Sequence, residues 1–271
     1  MKKEELDRVT FPVEKVPVMD LLGPSIKGVR KGITHAIVKQ DTQEILSFVS
    51  EDYALVKNAD IVSSFTEYFG GLGMDTEITF RAFRDVRFQI SFALKGYMEE
   101  IENGDTVLPM FNILNSYNRS QRYQFSVSVW RKVCENGLHA WVEDASMDLL
   151  HTPGISNGIA VEESLKLIQD FLPVFEETLE PYYELADRNL HNLEGVNQRI
   201  AEVAEAINFP ALLVESAQEQ AQVEMVSHGF APSDWLAYNA LNYQLNHNAE
   251  NLLGRKANAL DKAAIGYLLN Y

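Results

Sequence analysis

The chain has little of several features that would point directly to a location or an activity. Its 271 residues contain a single cysteine, Cys134, which excludes an intramolecular disulfide framework and is typical of a reducing cytoplasm. No apolar run reaches the roughly 18 residues that a bilayer requires, and the charged first residues do not resemble a secretory signal. We therefore expect a cytoplasmic protein without a membrane-spanning segment.

Histidines are few and scattered. No two of the six lie at i, i+3 or i, i+4, the spacing that places two metal ligands on one face of a helix. The spacing of residues in the sequence does not identify a nucleophile, a base and an acid that would form a catalytic site. Cys134 is interpreted as a buried thiol and not as a nucleophile. We expect no metal site, no cofactor and no catalytic residue, so an enzyme is the least favoured class.

Positive charge is scarce in the second half of the chain. The net charge is −16, and residues 1–140 carry 17 Lys and Arg against 19 Asp and Glu, whereas residues 141–271 carry 6 against 20. A uniformly basic surface for duplex DNA is excluded, because phosphates need clustered cations. A local basic surface in the first half is still allowed.

The first half contains short β-type segments around one helix. Two β-branched runs, 34–39 and 45–49, are joined by a polar turn. Segments 78–84, 86–92 and 125–131 alternate with a period of 2. Asn58 is a suitable N-cap for a helix over about 59–69, which glycines then end. These patterns predict an antiparallel sheet with a helix packed against it.

The second half has helical periodicity. Apolar spacing predicts helices over 161–172, 193–207, 234–248 and 256–269, the third with Ser233 as its N-cap. We thus expect an α+β fold, in which an antiparallel β-sheet with a packed helix is followed by an acidic helical region. This change divides the chain into a β-rich region with basic strands, residues 1–145, and an acidic helical region, residues 146–271, expected to pack on the first.

Arginines and aromatic rings are interleaved on the strands of the first half. Residues 81–132 hold eight Lys and Arg against five Asp and Glu, and positive charge with stacking rings is typical of surfaces that bind single-stranded nucleic acid. The alternative pairs these arginines with the acidic helices. The candidate nucleic-acid-binding residues are Arg81, Arg84, Arg87, Arg119, Arg122, Tyr123, Arg131 and Lys132.

Three runs carry a resemblance to known proteins. They contain the motif residues Asn115 and Ser116, then Arg131, Cys134, Asn136 and Gly137, and finally Trp235, Asn239 and His247. Over about residues 33–250, the chain resembles phage- and plasmid-encoded proteins grouped as a domain family of unknown function, which often show Asn-Ser-His-Asp-Gly-Ser, Val-Cys-x-Asn-Gly-Leu and a late Trp, Asn-Ala and His signature. In this chain Tyr117, Asn118 and Arg119 replace the family's His, Asp and Gly. The resemblance implies a mobile-element origin and supplies no established reaction.

Two of these runs also have simple structural interpretations. Asn136-Gly137 is typical of a turn that leaves a strand, because this pair readily adopts positive φ. Asn239, Tyr243 and His247 are spaced at i, i+4 and i+8, so they form one stripe on a helix. That stripe either lines a polar site or forms a hydrogen-bonded seam, with His247 near a helix C-terminus.

Two classes of function follow from these patterns. The first is a phage- or plasmid-type accessory protein that binds or anneals single-stranded nucleic acid through a basic, aromatic sheet face. The second is a non-enzymatic interaction protein that uses its acidic helices to bind a host factor or to self-assemble. The expected partners are single-stranded nucleic acid or a host protein, with a homo-oligomer as a further option and no membrane.

Overall fold

A computed structural model of the protein describes residues 6–23, 32–83, 86–133, 136–139, 146–152, 157–248 and 254–270. Unit 1 is formed by Met1–Gly96, Met110–Val127 and Asp144–Leu172, and unit 2 by Tyr97–Pro109, Ser128–Glu143 and Pro173–Tyr271. The division at residue 145 stays a prediction about regions of the chain. Helices and antiparallel strands are both present, so the predicted α+β class is confirmed.

Strands dominate the described chain up to Leu149, and helices dominate it beyond that residue. The strands are β1 (Val13–Pro17), β2 (His35–Lys39), β3 (Ile45–Val49), β4 (Thr76–Phe83), β5 (Arg87–Leu94), β6 (Glu99–Glu102), β7 (Asp105–Ser116), β8 (Tyr123–Arg131), β9 (Asn136–His139) and β10 (Ser146–Leu149). The helices are α1 (Val18–Leu22), α2 (Asn58–Gly71), α3 (Asn157–Phe171), α4 (Glu180–Asp187), α5 (Leu193–Ala206), α6 (Val214–His228), α7 (Asp234–His247) and α8 (Gly254–Leu269). Among the described residues, no helix is both long and apolar enough to cross a bilayer.

Unit 1 contains a small sheet, in the order β1-β2-β3, and most of a larger one, in the order β10-β8-β7-β5-β4. The pairs β4–β5, β5–β7 and β8–β10 are antiparallel. Strands β7 and β8 contribute residues to both units, and unit 2 adds β6, which pairs with β7, and β9, which pairs with β8.

The core of unit 1 is built from phenylalanine rings on one face of the larger sheet. Phe65 of α2 stacks on Phe92 of β5 with ring centroids 5.1 Å apart, and Phe111 of β7 meets Phe171 of α3 edge-on at 6.1 Å. These rings are buried, and each removes a large apolar area from water. The opposite face is mixed: it carries Arg87 and Gln89 of β5 together with Leu114 and Met110 of β7.

Helix α2 confirms the predicted helix and corrects its predicted cap. Asn58 is the first helical residue, and its side chain caps nothing. It donates instead to the backbone oxygen of Val9 at 3.0 Å. At the other end, Gly73 adopts a φ of +69°, a conformation that costs glycine little.

Unit 2 is built around α7, which is buried on nearly every side. Its N-cap is Ser233, as predicted, whose hydroxyl accepts from the backbone N–H of Leu236 at 3.2 Å. Within the unit, Tyr238 and Asn242 both donate to Asp261 of α8, at 2.9 and 2.8 Å. The sequence did not predict α4 or α6, and α6 has its left-handed stop at Gly229.

Candidate nucleic-acid interface

The hairpin formed by β4 and β5 presents cations and an aromatic ring on the open face of unit 1. Register places Phe83 opposite Arg87 and Arg81 opposite Gln89, and directly paired residues point to the same side of a sheet. Phe83 is 47% exposed, and the guanidinium carbon of Arg87 lies 5.6 Å from its ring centroid. The ring therefore offers a stacking surface beside a fixed positive charge.

The turn between β7 and β8 lies at the same end of the sheet. Arg87 is opposite Ser116 in the register of β5 and β7, and the backbone N–H of Tyr117 donates to the oxygen of Val86 at 2.8 Å. Arg119 and Arg122, both exposed, are carried on this turn. The two hairpin ends thus bring their arginines to the same end of the larger sheet, and we call Arg81, Phe83, Arg87, Arg119 and Arg122 the basic sheet face.

Side chains of the turn fix its conformation. The hydroxyl of Ser116 donates to the oxygen of Gln121 at 2.8 Å and accepts from its N–H at 3.1 Å. Asn118 accepts from the N–H of Ser120 at 3.1 Å, an Asx-type turn. Arg119 has a φ of +62°, which glycine adopts more easily.

A buried polar network supports the same turn from inside unit 1. Asn115 donates to the oxygens of Val56 and of the Asn58 side chain, both at 2.8 Å. The hydroxyl of Tyr117 accepts from the N–H of Asn58 at 3.0 Å, and that of Tyr53 donates to the oxygen of Ser116 at 2.7 Å. The motif residues Asn115 and Ser116 therefore position the strand end from which the arginines project.

Electrostatics link this network to the basic sheet face. Burial and the neighbouring Tyr117 raise the pKa of Tyr53, while the charge of Arg119 opposes this rise. The ring of His151 stacks on Tyr53 with centroids 4.9 Å apart, and burial lowers the pKa of His151. A neutral, hydrogen-bonded interior therefore lies next to the exposed cations.

The four exposed arginines form no ion pair within the described part of the chain. Unpaired guanidiniums are available to phosphates, whereas bidentate pairs with carboxylates would not be. Lys132 is exposed as well, but it belongs to unit 2. Arg84 lies outside the described residues.

Two predicted contact residues are buried and do not belong to the interface. Tyr123 is 0% exposed and its hydroxyl lies 2.9 Å from that of Ser164. Arg131 is also 0% exposed and pairs with Asp105 at 2.6 Å and Glu224 at 2.8 Å. A buried arginine needs such partners, because an unpaired charge in the interior is strongly destabilising.

The environment of Arg131 is the main feature of unit 2 that the sequence did not reveal. Asp105 also accepts from the indole N–H of Trp235 at 2.8 Å, and the guanidinium of Arg131 lies over the ring of Phe230 at 5.3 Å. Glu102 adds a third carboxylate, one oxygen of which is buried without a hydrogen-bond partner. We call Glu102, Asp105, Arg131 and Glu224 the buried charge cluster.

The remaining motif residues have structural positions in unit 2. Asn136 and Gly137 lie in β9 and pair with Arg131 and Trp130, so they do not form the predicted turn. On α7, Asn239 is buried and donates to the oxygen of Trp235 at 2.8 Å. His247 is exposed at the last residue of α7, and its ring lies 4.4 Å from that of Tyr243, so the stripe runs from a buried position in unit 2 to an exposed one. Cys134 lies outside the described residues.

The fold defines the class of protein: an α+β protein, with exposed arginines at one end of the larger sheet in the described part of unit 1. The chain belongs to the family described as a domain of unknown function, DUF932, which matches residues 45–263. This confirms the predicted membership of a family of unknown function. No curated protein and no solved structure matches the chain. Among the described residues, no group of three or more His, Cys, Asp or Glu is arranged to hold a metal ion.

Proposed function

We propose that the protein binds single-stranded nucleic acid on the basic sheet face. The observation that supports this most is the exposed ring of Phe83 beside Arg87, because a base can stack on the ring while the guanidinium contacts its phosphate. Arg81, Arg119 and Arg122 add further positive charge at the same end of the larger sheet. We further propose that it acts as an accessory protein of a mobile element in the host cytoplasm, as the resemblance implies.

The polar residues beyond the arginines suit an unpaired strand. Gln89 of β5 and Asn112 of β7 are partly exposed on the face that carries Arg87, and the buried Ser91 donates to Asn112 at 2.7 Å. Partly exposed amides of this kind can bond to the edges of splayed bases. A duplex hides those edges and needs a wider cationic surface, so the proposal is restricted to single strands.

A fluorescence anisotropy titration with a labelled oligodeoxythymidine of about 16 nucleotides tests the proposal. We expect saturable binding that weakens between about 50 and 200 mM salt, because counterions are released on binding. Phe83→Ala should weaken binding about fivefold or more, the range of one lost stacking contact. Absence of binding in the micromolar range at the lower salt concentration contradicts the proposal.

Two further variants separate charge from folding. Arg119→Gly removes a cation and relieves a positive φ, so we expect weaker binding with equal or higher thermal stability. Lys166→Gln is the matched control: it also removes one exposed charge, but Lys166 lies on α3 and is paired with Glu163 at 2.8 Å. Equal losses of affinity in both variants would show that binding depends on net charge and not on this face.

A second candidate function is supported by unit 2. Leu212, Val223 and Val226 are 93%, 53% and 79% exposed and share one face of α6 and the turn before it with Glu215 and Glu219. Apolar residues flanked by carboxylates suit a basic amphipathic partner helix. Affinity capture with wild-type protein and with Val226→Asp should recover such a partner only with the wild type.

A further inference from the structure

We propose that two copies of this chain pair through the outer edge of β4 and form one continuous antiparallel sheet. Strand β4 is the last in the order β10-β8-β7-β5-β4, and no described strand pairs with its outer edge. It is eight residues long, keeps one register with β5 throughout, and contains neither proline nor lysine, two residues that protect many edge strands. The opposite edge, β10, has only four residues.

The hydrogen bonds to β5 show which backbone groups of β4 are available. The N–H of Lys95 donates to the oxygen of Asp75 at 3.0 Å, and these residues are opposite one another when the register, which pairs Thr76 with Leu94, is continued by one residue. In an antiparallel ladder the bonded pairs alternate, so Glu77, Thr79 and Arg81 also direct their backbone groups to β5. The backbone N–H and C=O groups of residues 76, 78, 80 and 82 therefore point away from β5, towards the unpaired edge of β4.

One register fits both this alternation and the side chains. A two-fold axis at Thr79 places Ile78 opposite Phe80 of the second copy, where both backbones offer free N–H and C=O groups. The same register places Glu77 opposite Arg81 of the second copy, twice by symmetry. The two Glu77–Arg81 pairs occupy non-hydrogen-bonded positions, where side chains of facing strands approach most closely. Charge and apolar contact are thus complementary in a single isologous arrangement.

The burial of β4 agrees with an additional partner. Ile78 and Phe80 are only half-buried although they lie on the core side, and Thr79 and Arg81 are exposed. A second β4 would cover the two apolar side chains. Because paired antiparallel strands keep the same face outward, the open faces of both copies would also join on one side. The proposal concerns the free protein and does not depend on nucleic acid.

Sedimentation analysis without nucleic acid, over about 5 to 200 µM protein, tests the pairing, since an interface of this small size gives weak association. We expect a concentration-dependent dimer. Arg81→Glu should weaken it about tenfold, because two attractive pairs become repulsive. The double variant Glu77→Arg with Arg81→Glu restores opposite charges and should restore the dimer. A protein that stays monomeric throughout, or a double variant as weak as the single one, overturns the proposal.

Two controls keep the test independent of folding and of the proposed function. Lys95→Gln removes the cation that lies 3.6 Å from Glu77 within the chain and should not weaken the dimer, because it leaves Glu77 to pair with Arg81 of the second copy. Ala82→Pro removes an N–H that points to the open edge and should weaken the dimer without changing charge. Each variant should keep the wild-type melting temperature. If the protein binds the oligonucleotide but does not dimerise, only the edge pairing is rejected. If it dimerises but does not bind the oligonucleotide, only the nucleic-acid proposal is rejected.

Discussion

Arg131 shows how one residue type can take opposite roles in this chain. It has the charge of Arg81 and Arg87, yet it is fully buried and bound by Asp105 and Glu224. The free-energy cost of removing these three charged groups from water is offset only while all three are paired. We therefore expect the buried charge cluster to specify the arrangement of unit 2 more than it adds to net stability.

Arg131→Ala tests this role. Two carboxylates would be left buried without their cation, so we expect a loss of about 3 to 5 kcal/mol in the free energy of unfolding. Urea denaturation followed by tryptophan fluorescence measures it, because Trp235 lies against the cluster. The neighbouring Lys132→Ala, at an exposed position, serves as control and should change stability by less than about 0.5 kcal/mol. Similar small losses in both variants would contradict the assignment.

Glu102 adds a dependence on pH to the same cluster. Burial, and then the charge of Asp105, raise its pKa from 4.5 to about 7, although Arg131 opposes the rise. The folded protein therefore binds this proton more tightly than the unfolded chain, and the stabilisation present below about 4.5 is lost as pH rises to about 7. Glu102 is partly accessible to solvent, so screening makes the effect modest.

Glu102→Gln should accordingly stabilise the protein at about pH 8 and change it little at about pH 5. The replacement keeps the size of the side chain and removes the charge that repels Asp105 and Glu224. Melting temperatures at the two pH values measure the difference. A variant that is stabilised equally at both, or destabilised at the higher pH, would show that the carboxylate is not the titrating group.

At the scale of elements, the close approach of α5 to the preceding segment depends on one glycine. A Cβ on Gly195 would lie 2.2 Å from the backbone oxygen of Leu190, and Gly195 also donates to its N-cap Asn192 at 2.9 Å. Neither group can move without displacing the helix start.

Gly195→Ala should therefore destabilise the protein by about 1 to 3 kcal/mol, the range of overpacking, although alanine is the better helix former. Gly266→Ala on α8 is the matched control, since nothing lies within 4 Å of the added carbon. It should stabilise by about 0.5 to 1 kcal/mol. Chemical denaturation of both variants gives the comparison, and a stabilised Gly195→Ala would mean that the helix start can shift.

Periodicity predicted most of the regular elements. The amphipathic helices and the hairpin strands could be predicted because each depends on the spacing of apolar residues within a short segment. Helix α6 was missed because its apolar residues do not collect on one face: Ala217 and Ala221 are buried, whereas Val223 and Val226 are exposed. The division into two units could not be predicted either, because it depends on contacts between distant segments.

The candidate interface could be predicted only in part, and β8 shows why. Its inward positions follow the alternation of Phe125, Val127 and Val129, and the same alternation includes Tyr123 and Arg131. The period of 2 alone therefore places both side chains in the core. The charge of Arg131 and the ring of Tyr123 instead suggested an exposed surface that binds nucleic acid. The partners that make burial possible, Asp105 and Glu224, lie far away in sequence and carry no local signal. By contrast, Arg81, Phe83 and Arg87 followed the alternation of their strands.

At the scale of the whole molecule, the net charge of −16 opposes any polyanion, and it makes a specific prediction for binding. When the protein binds as a monomer, in which Arg81 is not engaged by Glu77 of a second copy, four arginines on the basic sheet face that each contact a phosphate give a slope of about −3 in a plot of log affinity against log salt. Repulsion from the remaining acidic surface acts over the Debye length, which is about 10 Å at 0.1 M salt and about 30 Å at 0.01 M. Lowering the salt therefore strengthens the contacts and the repulsion together.

We expect the plot to be linear with that slope above about 0.1 M salt and to flatten below it. Anisotropy titrations over this range measure both limbs. Arg87→Gln should reduce the slope by about 0.7, whereas Lys166→Gln should leave the upper limb unchanged. A slope that steepens towards low salt would show that binding engages a larger cationic surface than these four arginines provide, because only then would attraction outweigh the acidity of the chain at long range.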